Sequence, residues 1–592
     1  MMVSANHWYF PYDLWRPRDA WHGYWRAHQV RFFRATASRE NGTMARSRPH
    51  GEAVPLFRED LSMFNASLRS RRIALGLAIA LASSPILASD TAPSADVATG
   101  RLSGTHDAKT GLNEFKGIPY AAPPIGSLRW KPPQSAVAWK DPRQAVHFGP
   151  RCMQRPIFSD MVFRSDGMSE DCLYLNVWTP ADAPNKKLPV LVYFYGGGFI
   201  GGDGSEPRYD GASLAQRGIV TVTVNYRLDV FGFMASPALA AESPEHAAGN
   251  YGLLDQHAAL EWVKRNIAAF GGDPDQVTIG GESAGSMSVS AQMASPLSKG
   301  LIRRAIGESG GMLGNLNPTP LAQAMREGEA FERRVGARSL DQLRAMSAQA
   351  LLDAAGQKDV PEFRPSIDGY FLPRPPKDIY EAGEQAHIPL LLGANSQEGS
   401  YVSLFENQTP NQANYRAAVQ KRFGEHAAEA LKLYPGETDA EIKTSGTALA
   451  GDEFIAFSTW QWMRLHRQTG HAPVYYYYFT QARPTKHDGS AGPDSGAVHS
   501  GEIEYALGNL SGNAVYAWTT TDRRVSEVMQ GYWARFIQTG DPNGPGLPHW
   551  PAAVNKDGGL LRQVIGADTH TMIDHDAARY EFLLRVDGNV TL

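Results

Sequence analysis

The sequence predicts an α/β fold, a central and mostly parallel sheet with helices on both faces. Three observations carry that expectation. Short runs rich in β-branched, aromatic or Leu residues, at 188–195, 220–226, 277–280, 389–394 and 474–479, alternate with longer amphipathic stretches. These runs do not need to alternate apolar and polar residues, as suits strands buried on both faces. Two of them lead straight into glycine-rich turns, and a parallel sheet presents its ligand site at the carboxyl ends of its strands.

The N-terminal region stands apart from this pattern. Residues 1–62 are rich in Trp, Arg, His and Phe, with no steady period of either helix or strand. They read as an extension from an upstream start, with an aromatic, basic interaction arm as the alternative. Met63 opens a second start. Arg69, Arg71 and Arg72 form a charged segment, residues 73–81 an apolar one, and Ser83-Ser84-Pro85-Ile86-Leu87-Ala88 a break with a cleavage site after Ala88. That is the layout of a secretory signal peptide over 63–88, so a secreted or periplasmic protein is expected. The apolar segment is too short and too rich in Ala and Ser for a stable membrane span.

Composition narrows the partners. Lys and Arg number 57 against 61 Asp and Glu, for a net charge of −4. The charges are spread along the chain with no basic stripe, so no nucleic-acid partner is expected.

The run 188–195 ends in Gly196-Gly197-Gly198-Phe199. Consecutive glycines leave backbone N–H groups able to point at a substrate oxygen, the chemistry of an oxyanion hole; a flexible turn is the plainer reading. Residues 252–270 read as an amphipathic helix with Leu254, Ala258, Trp262 and Val263 on one face. The strand 276–280 meets Gly281-Glu282-Ser283-Ala284-Gly285, and residues 284–294 read as a helix of small residues and Met. A serine on so sharp a turn projects its hydroxyl above the sheet, flanked by glycines that avoid a clash. The helix N-terminus behind it favours negative charge. This is the geometry of an acyl-transfer nucleophile, with the N–H of Ala284 as an additional oxyanion donor. Residues 315–388 and 406–469 are mostly helical and read as lid or gorge insertions.

Several motifs together resemble the type B carboxylesterases, the carboxylesterase/cholinesterase family. They are Phe115-Lys116-Gly117-Ile118-Pro119-Tyr120-Ala121, Leu128-Arg129-Trp130, Glu170-Asp171-Cys172-Leu173-Tyr174-Leu175-Asn176-Val177, Asn225-Tyr226-Arg227, Gly252-Leu253-Leu254-Asp255-Gln256, Phe270-Gly271-Gly272-Asp273-Pro274 and Thr539-Gly540-Asp541-Pro542-Asn543. The resemblance runs from Gly100 to Trp550 and implies one α/β-hydrolase catalytic domain over 89–592. It also implies a disulfide between the only two cysteines, Cys152 and Cys172, and a structural ion pair between Arg129 and Glu170.

In α/β-hydrolases the order along the chain is Ser, acid, His. Glu398, in the loop after strand 389–394, matches the family's acid position; Asp368 competes but reads as a turn residue. Among 17 histidines, His499 in Gly496-Ala497-Val498-His499-Ser500-Gly501-Glu502 matches the family's base, with His487 as runner-up. Ser283, Glu398 and His499 are thus the expected triad, with Gly197, Gly198 and Ala284 as oxyanion donors. No metal or organic cofactor is required. Glu282 reads as a hydrogen-bonding spacer, with a buried carboxylate that tunes the site as the alternative.

Cholinesterases carry a Trp between the loop cysteines, on which a choline cation packs. Here the loop has none, and Phe163 lies nearest that place. The resemblance is therefore to general carboxylesterases acting on uncharged short- to medium-chain esters. An amidase or carbamate hydrolase with the same apparatus is the alternative. A non-catalytic binding module of this family would lack the nucleophile that is present here. Gly311-Met312-Leu313 and residues 401–405 are expected to line the acyl pocket.

Overall fold

A computed structural model describes residues 92–490, 496–554 and 559–586. The segments read above as an upstream extension and a signal peptide lie outside the described residues.

The core is an eleven-stranded mixed sheet. In chain order its strands are β1 (Thr105–Asp107), β2 (Leu112–Pro119), β3 (Tyr174–Pro180), β4 (Leu188–Phe194), β5 (Val220–Val224), β6 (Gly272–Glu282), β7 (Arg304–Glu308), β8 (Leu390–Asn395), β9 (Val474–Phe479), β10 (Leu561–Ile565) and β11 (His570–Ile573). Across the sheet they run β11-β10-β9-β8-β7-β6-β4-β5-β3-β2-β1. The block from β10 to β5 is parallel throughout. Antiparallel strands finish both edges, β11 at one and β3-β2-β1 at the other.

The sequence predicts β4, β5, β6, β8 and β9 but not β7, although the central strands are covered on both faces. All residues of β5, β7 and β8 are buried. The edge strands β1 and β11 have no fully buried residue, and no apolar run announces them.

Helices cover the sheet: α1 (Tyr251–Asn266), α2 (Ala284–Ala294), α3 (Asp439–Gly451), α4 (Phe457–Thr469), α5 (Ile503–Ala506) and α6 (Thr520–Thr539) among them. The expected helix over 252–270 ends its α-helical part at Asn266 and finishes as a 3₁₀ turn to Phe270. α6 begins in a capping box between Thr519 and Asp522, and stops where Gly540 turns left-handed at φ 83°. The Thr539–Asn543 motif is therefore a helix stop, a structural device rather than a chemical one.

Two further motifs are scaffold. The Arg227 guanidinium forks onto Asp255 at 2.8 and 2.7 Å, fastening the segment after β5 to α1. Arg129 forks onto Glu170 at 2.5 and 2.6 Å. Beside it Cys152 and Cys172 are disulfide-bonded, with Cα atoms 4.9 Å apart. No helix among the described residues is long and apolar enough to cross a membrane.

Candidate active site

The carboxyl ends of four parallel strands, β4, β6, β8 and β9, deliver the site. β6 ends at Glu282, and Ser283 follows with φ 55° and ψ −122° before α2 begins. A side chain other than glycine is strained in that region, and such residues persist only where their surroundings over-determine them. Here the Ser283 N–H donates to the Glu308 carbonyl at 2.9 Å, and the Ser283 carbonyl accepts from the Met287 N–H at 2.9 Å. α2 can approach β4 so closely because Gly285 has no side chain. A Cβ there would lie 2.0 Å from the Phe194 carbonyl oxygen.

β8 leads into the loop that carries Glu398, and β9 into the longer loop that carries His499. The two loops are pinned to each other. Gln397 N–H donates to the Ala497 carbonyl at 2.8 Å, and the Asn395 side-chain amide donates to the Val498 carbonyl at 2.9 Å. His499 Nε2 consequently lies 3.0 Å from Ser283 Oγ, and His499 Nδ1 lies 2.6 Å from Glu398 Oε2. The other oxygen of Glu398 accepts from the Asn395 N–H at 2.6 Å and from Ser309 Oγ at 2.5 Å. Those bonds fix the carboxylate, and the carboxylate in turn holds the imidazole.

The competing residues lie elsewhere. Asp368 caps its own turn, accepting from Tyr370 and Leu372 N–H groups. His487 is exposed.

Gly197 and Gly198 follow β4 with φ 113° and 64°. Among the described residues neither backbone N–H donates to another group. Gly197 has no room for a side chain, since a Cβ would lie 2.3 Å from the Gly201 carbonyl oxygen and 2.8 Å from Met161 Cε. Ala284 opens α2, where its N–H has no partner within the helix.

The electrostatics are dominated by buried carboxyl groups. Glu282, read from sequence as a spacer, is buried and sets Oε1 3.3 Å from His499 Nε2. Burial pushes its carboxyl up to about 8, against the pull of the imidazole. Burial also disfavours the charged form of His499, but Glu282, Glu398 and Glu502 outweigh it and push the imidazole up to about 9. Glu502 accepts from the Asn395 side chain at 2.5 Å; its burial and the nearby Glu398 charge push it up to about 7. Glu308 is buried between Tyr193 and Trp533, and burial holds it far above the ordinary carboxyl range. Composition gives no signal for this group. The carboxylates come from separate segments and meet only when the strands pair.

Several expected lining residues fall differently. Met312 and Leu313 are fully buried in the packing against α4 and do not face open space. Phe163 lies under the Arg151 guanidinium at 4.9 Å. From the same disulfide-closed loop, Phe158 and Met161 reach the glycine turn instead. Among the described residues no group of three or more His, Cys, Asp or Glu side chains is arranged to hold a metal ion.

A sheet of this order, with a serine on the turn from a central parallel strand into a helix, defines an α/β-hydrolase. The sequence profile of the carboxylesterase family matches residues 91–581, and the chain belongs to that family. It is 36% identical over 493 residues to the para-nitrobenzyl esterase of Bacillus subtilis (strain 168), covering 81% of this chain and 95% of that protein. It is 35% identical over 470 residues to the fumonisin B1 esterase of Sphingopyxis macrogoltabida, covering 74% and 81% respectively. A carboxylesterase structure from Geobacillus stearothermophilus superposes with a TM-score of 0.71 at 32% identity, over 83% of this chain and 99% of that one. The protein is a carboxylic ester hydrolase.

Proposed function

We propose that the protein cleaves uncharged short- to medium-chain carboxylic esters through an acyl-enzyme on Ser283. His499 Nε2 takes the proton from Ser283 Oγ, and the oxygen attacks the ester carbonyl carbon. The N–H groups of Gly197, Gly198 and Ala284 hold the resulting oxyanion, and loss of one such donor costs ~3–4 kcal/mol of transition-state stabilisation. The bond to the alcohol oxygen breaks as His499 returns the proton to it. Water then attacks the acyl carbon with His499 again as base, and Ser283 Oγ leaves with the proton. Glu398 fixes the imidazole tautomer and stabilises the imidazolium.

The observation that carries this reading is the chain of contacts from Ser283 Oγ through His499 to Glu398, ending on a serine held in a strained backbone conformation. The substrate class is supported by the half-buried apolar side chains nearby, Phe158 and Met161 at the glycine turn. The buried carboxyl groups disfavour an anionic substrate at the same place.

The test is hydrolysis of p-nitrophenyl esters of increasing acyl length, with Ser283→Ala beside the wild type. A p-nitrobenzyl ester joins the series because one relative is named for that activity. The variant is expected to lose at least about 10⁴-fold in kcat while keeping its thermal transition. Ordinary turnover in folded Ser283→Ala sinks the proposal. Anilides and carbamates run in parallel decide between ester and amide or carbamate preference.

A further inference from the structure

The helical run from Asp439 to Thr469 changes pitch once, at a π-turn over Asp452–Ala456. A π-turn inserts a residue into a helix and is frequent at functional sites. This one is anchored on both sides. Asp452 accepts from Tyr434 Oη at 2.8 Å and from Arg579 Nε at 2.9 Å. Glu453 pairs with Arg422 Nε at 3.1 Å, and its carbonyl accepts from the Asn315 side chain. The hydroxyls of Ser458 and Thr459 turn back onto the Ile455 carbonyl at 2.8 and 3.1 Å. Thr459 Oγ1 also accepts from Gly310 N–H at 2.8 Å, which ties the turn to the segment beside Ser283.

Between these anchors Phe454 is half-buried, while Asp452, Ile455 and Ala456 are buried. Its ring stands 4.9 Å from the His499 imidazole at an interplanar angle of 78°. The two ring nitrogens of His499 are held by Glu398 and Ser283. Both bonds act in the plane of the ring, so displacement out of that plane is left to the side chains packed against it. Glu282 Oε1, 3.3 Å from Nε2, offers a protonated imidazole a competing partner. An aromatic ring packed at 4.9 Å against the imidazole restrains such displacement.

We propose that Phe454, presented by the π-turn, is a positioning residue that keeps His499 Nε2 on Ser283 Oγ and away from Glu282. The inference rests on the Ser283–His499 reading above.

The experiment measures kcat and KM on a p-nitrophenyl ester for Phe454→Ala, Phe454→Leu and Phe454→Tyr. Ser283→Ala is the control, and thermal unfolding checks the fold of each variant. Phe454→Ala is expected to lose about tenfold to a hundredfold in kcat, the cost of a small misplacement. Its KM is expected to stay within about twofold, since substrate binding is untouched. Phe454→Leu, which fills volume without a planar ring, falls between Ala and wild type, and Phe454→Tyr retains wild-type kcat. Assayed above about pH 8, where the Glu282 carboxyl is ionised, the penalty of Phe454→Ala shrinks in a Glu282→Gln background. A rise in KM with kcat unchanged, or equal penalties in both backgrounds, overturns the inference. If Phe454→Ala unfolds, Leu against Tyr decides instead: a lower kcat in Leu than in Tyr upholds the inference, and equal values overturn it. An active Ser283→Ala removes the underlying reading as well, whereas an inert Ser283→Ala beside a wild-type-like Phe454→Ala removes this inference alone.

Discussion

At the His499 imidazole, two carboxyl groups act on one ring. Glu398 binds Nδ1, and Glu282 faces Nε2 from the side on which the proton must move. A base works only when neutral. An imidazole held near 9 by surrounding carboxylates therefore gains activity as pH rises through the alkaline side of its ordinary 6.5. Replacing Glu282 by Gln removes one of those charges and lowers the imidazole pKa. The rising limb of kcat/KM against pH is expected to move towards lower pH in Glu282→Gln, by about one unit or more. A limb that stays put in a folded variant shows that Glu282 does not govern the base. At this scale the sequence was legible where chemistry depends on residue type and local turn, as with Ser283 between its glycines. For Glu282 the sequence left a spacer and a buried, site-tuning carboxylate side by side, because nothing in Gly281-Glu282-Ser283 says that β4 and β7 will shut out water on both sides. Glu502 escaped for the same reason.

The strand-to-helix turn at Ser283 is the element on which the proposed chemistry depends, and its tolerance is small. β4 and α2 meet at Gly285, where a Cβ would stand 2.0 Å from the Phe194 carbonyl oxygen, inside any permitted contact. Neither partner can yield, since Phe194 belongs to a strand paired on both sides. Gly285→Ala is expected to destabilise the protein by about 3 kcal/mol and to abolish activity, read by chemical unfolding and by ester hydrolysis. A variant of wild-type stability would mean that α2 is free to move. This element was written in the sequence almost to the residue, because its signal is local: a buried strand, a small-residue turn, a helix. β7 has no such signal. Its ends are Arg304 and Glu308, both buried in the structure, so a stretch that looks polar in sequence lies at the centre of the sheet. Burial of such residues is granted by distant partners, Gln276 for Arg304 and Trp533 for Glu308, which no local pattern announces.

Across the whole molecule, buried titratable groups couple stability to pH. His466 on α4 is fully buried, with Nε2 2.8 Å from the Ile388 carbonyl oxygen. Burial pushes its pKa down to about 4, despite the help of that hydrogen bond to the charged form. The folded protein keeps the ring neutral while the unfolded chain protonates it below its ordinary 6.5. Stability is therefore lost as pH falls from about 6.5 towards 4, at up to about 1.4 kcal/mol per pH unit from this group. The slope of unfolding free energy against pH in that window is expected to flatten in His466→Gln; an unchanged slope assigns the acid sensitivity elsewhere. The order of strands in the sheet also has a consequence in time. Ser283 and His499 are 216 residues apart in the chain. At roughly 5–20 residues per second, the serine leaves the ribosome about 10–40 s before the histidine. On the proposed mechanism, the nascent chain during that interval has a nucleophile with no base beside it, and β8 and β9 are still to be made. On that mechanism, order of synthesis alone withholds the base from the serine until the last strands of the sheet and their loops have been made.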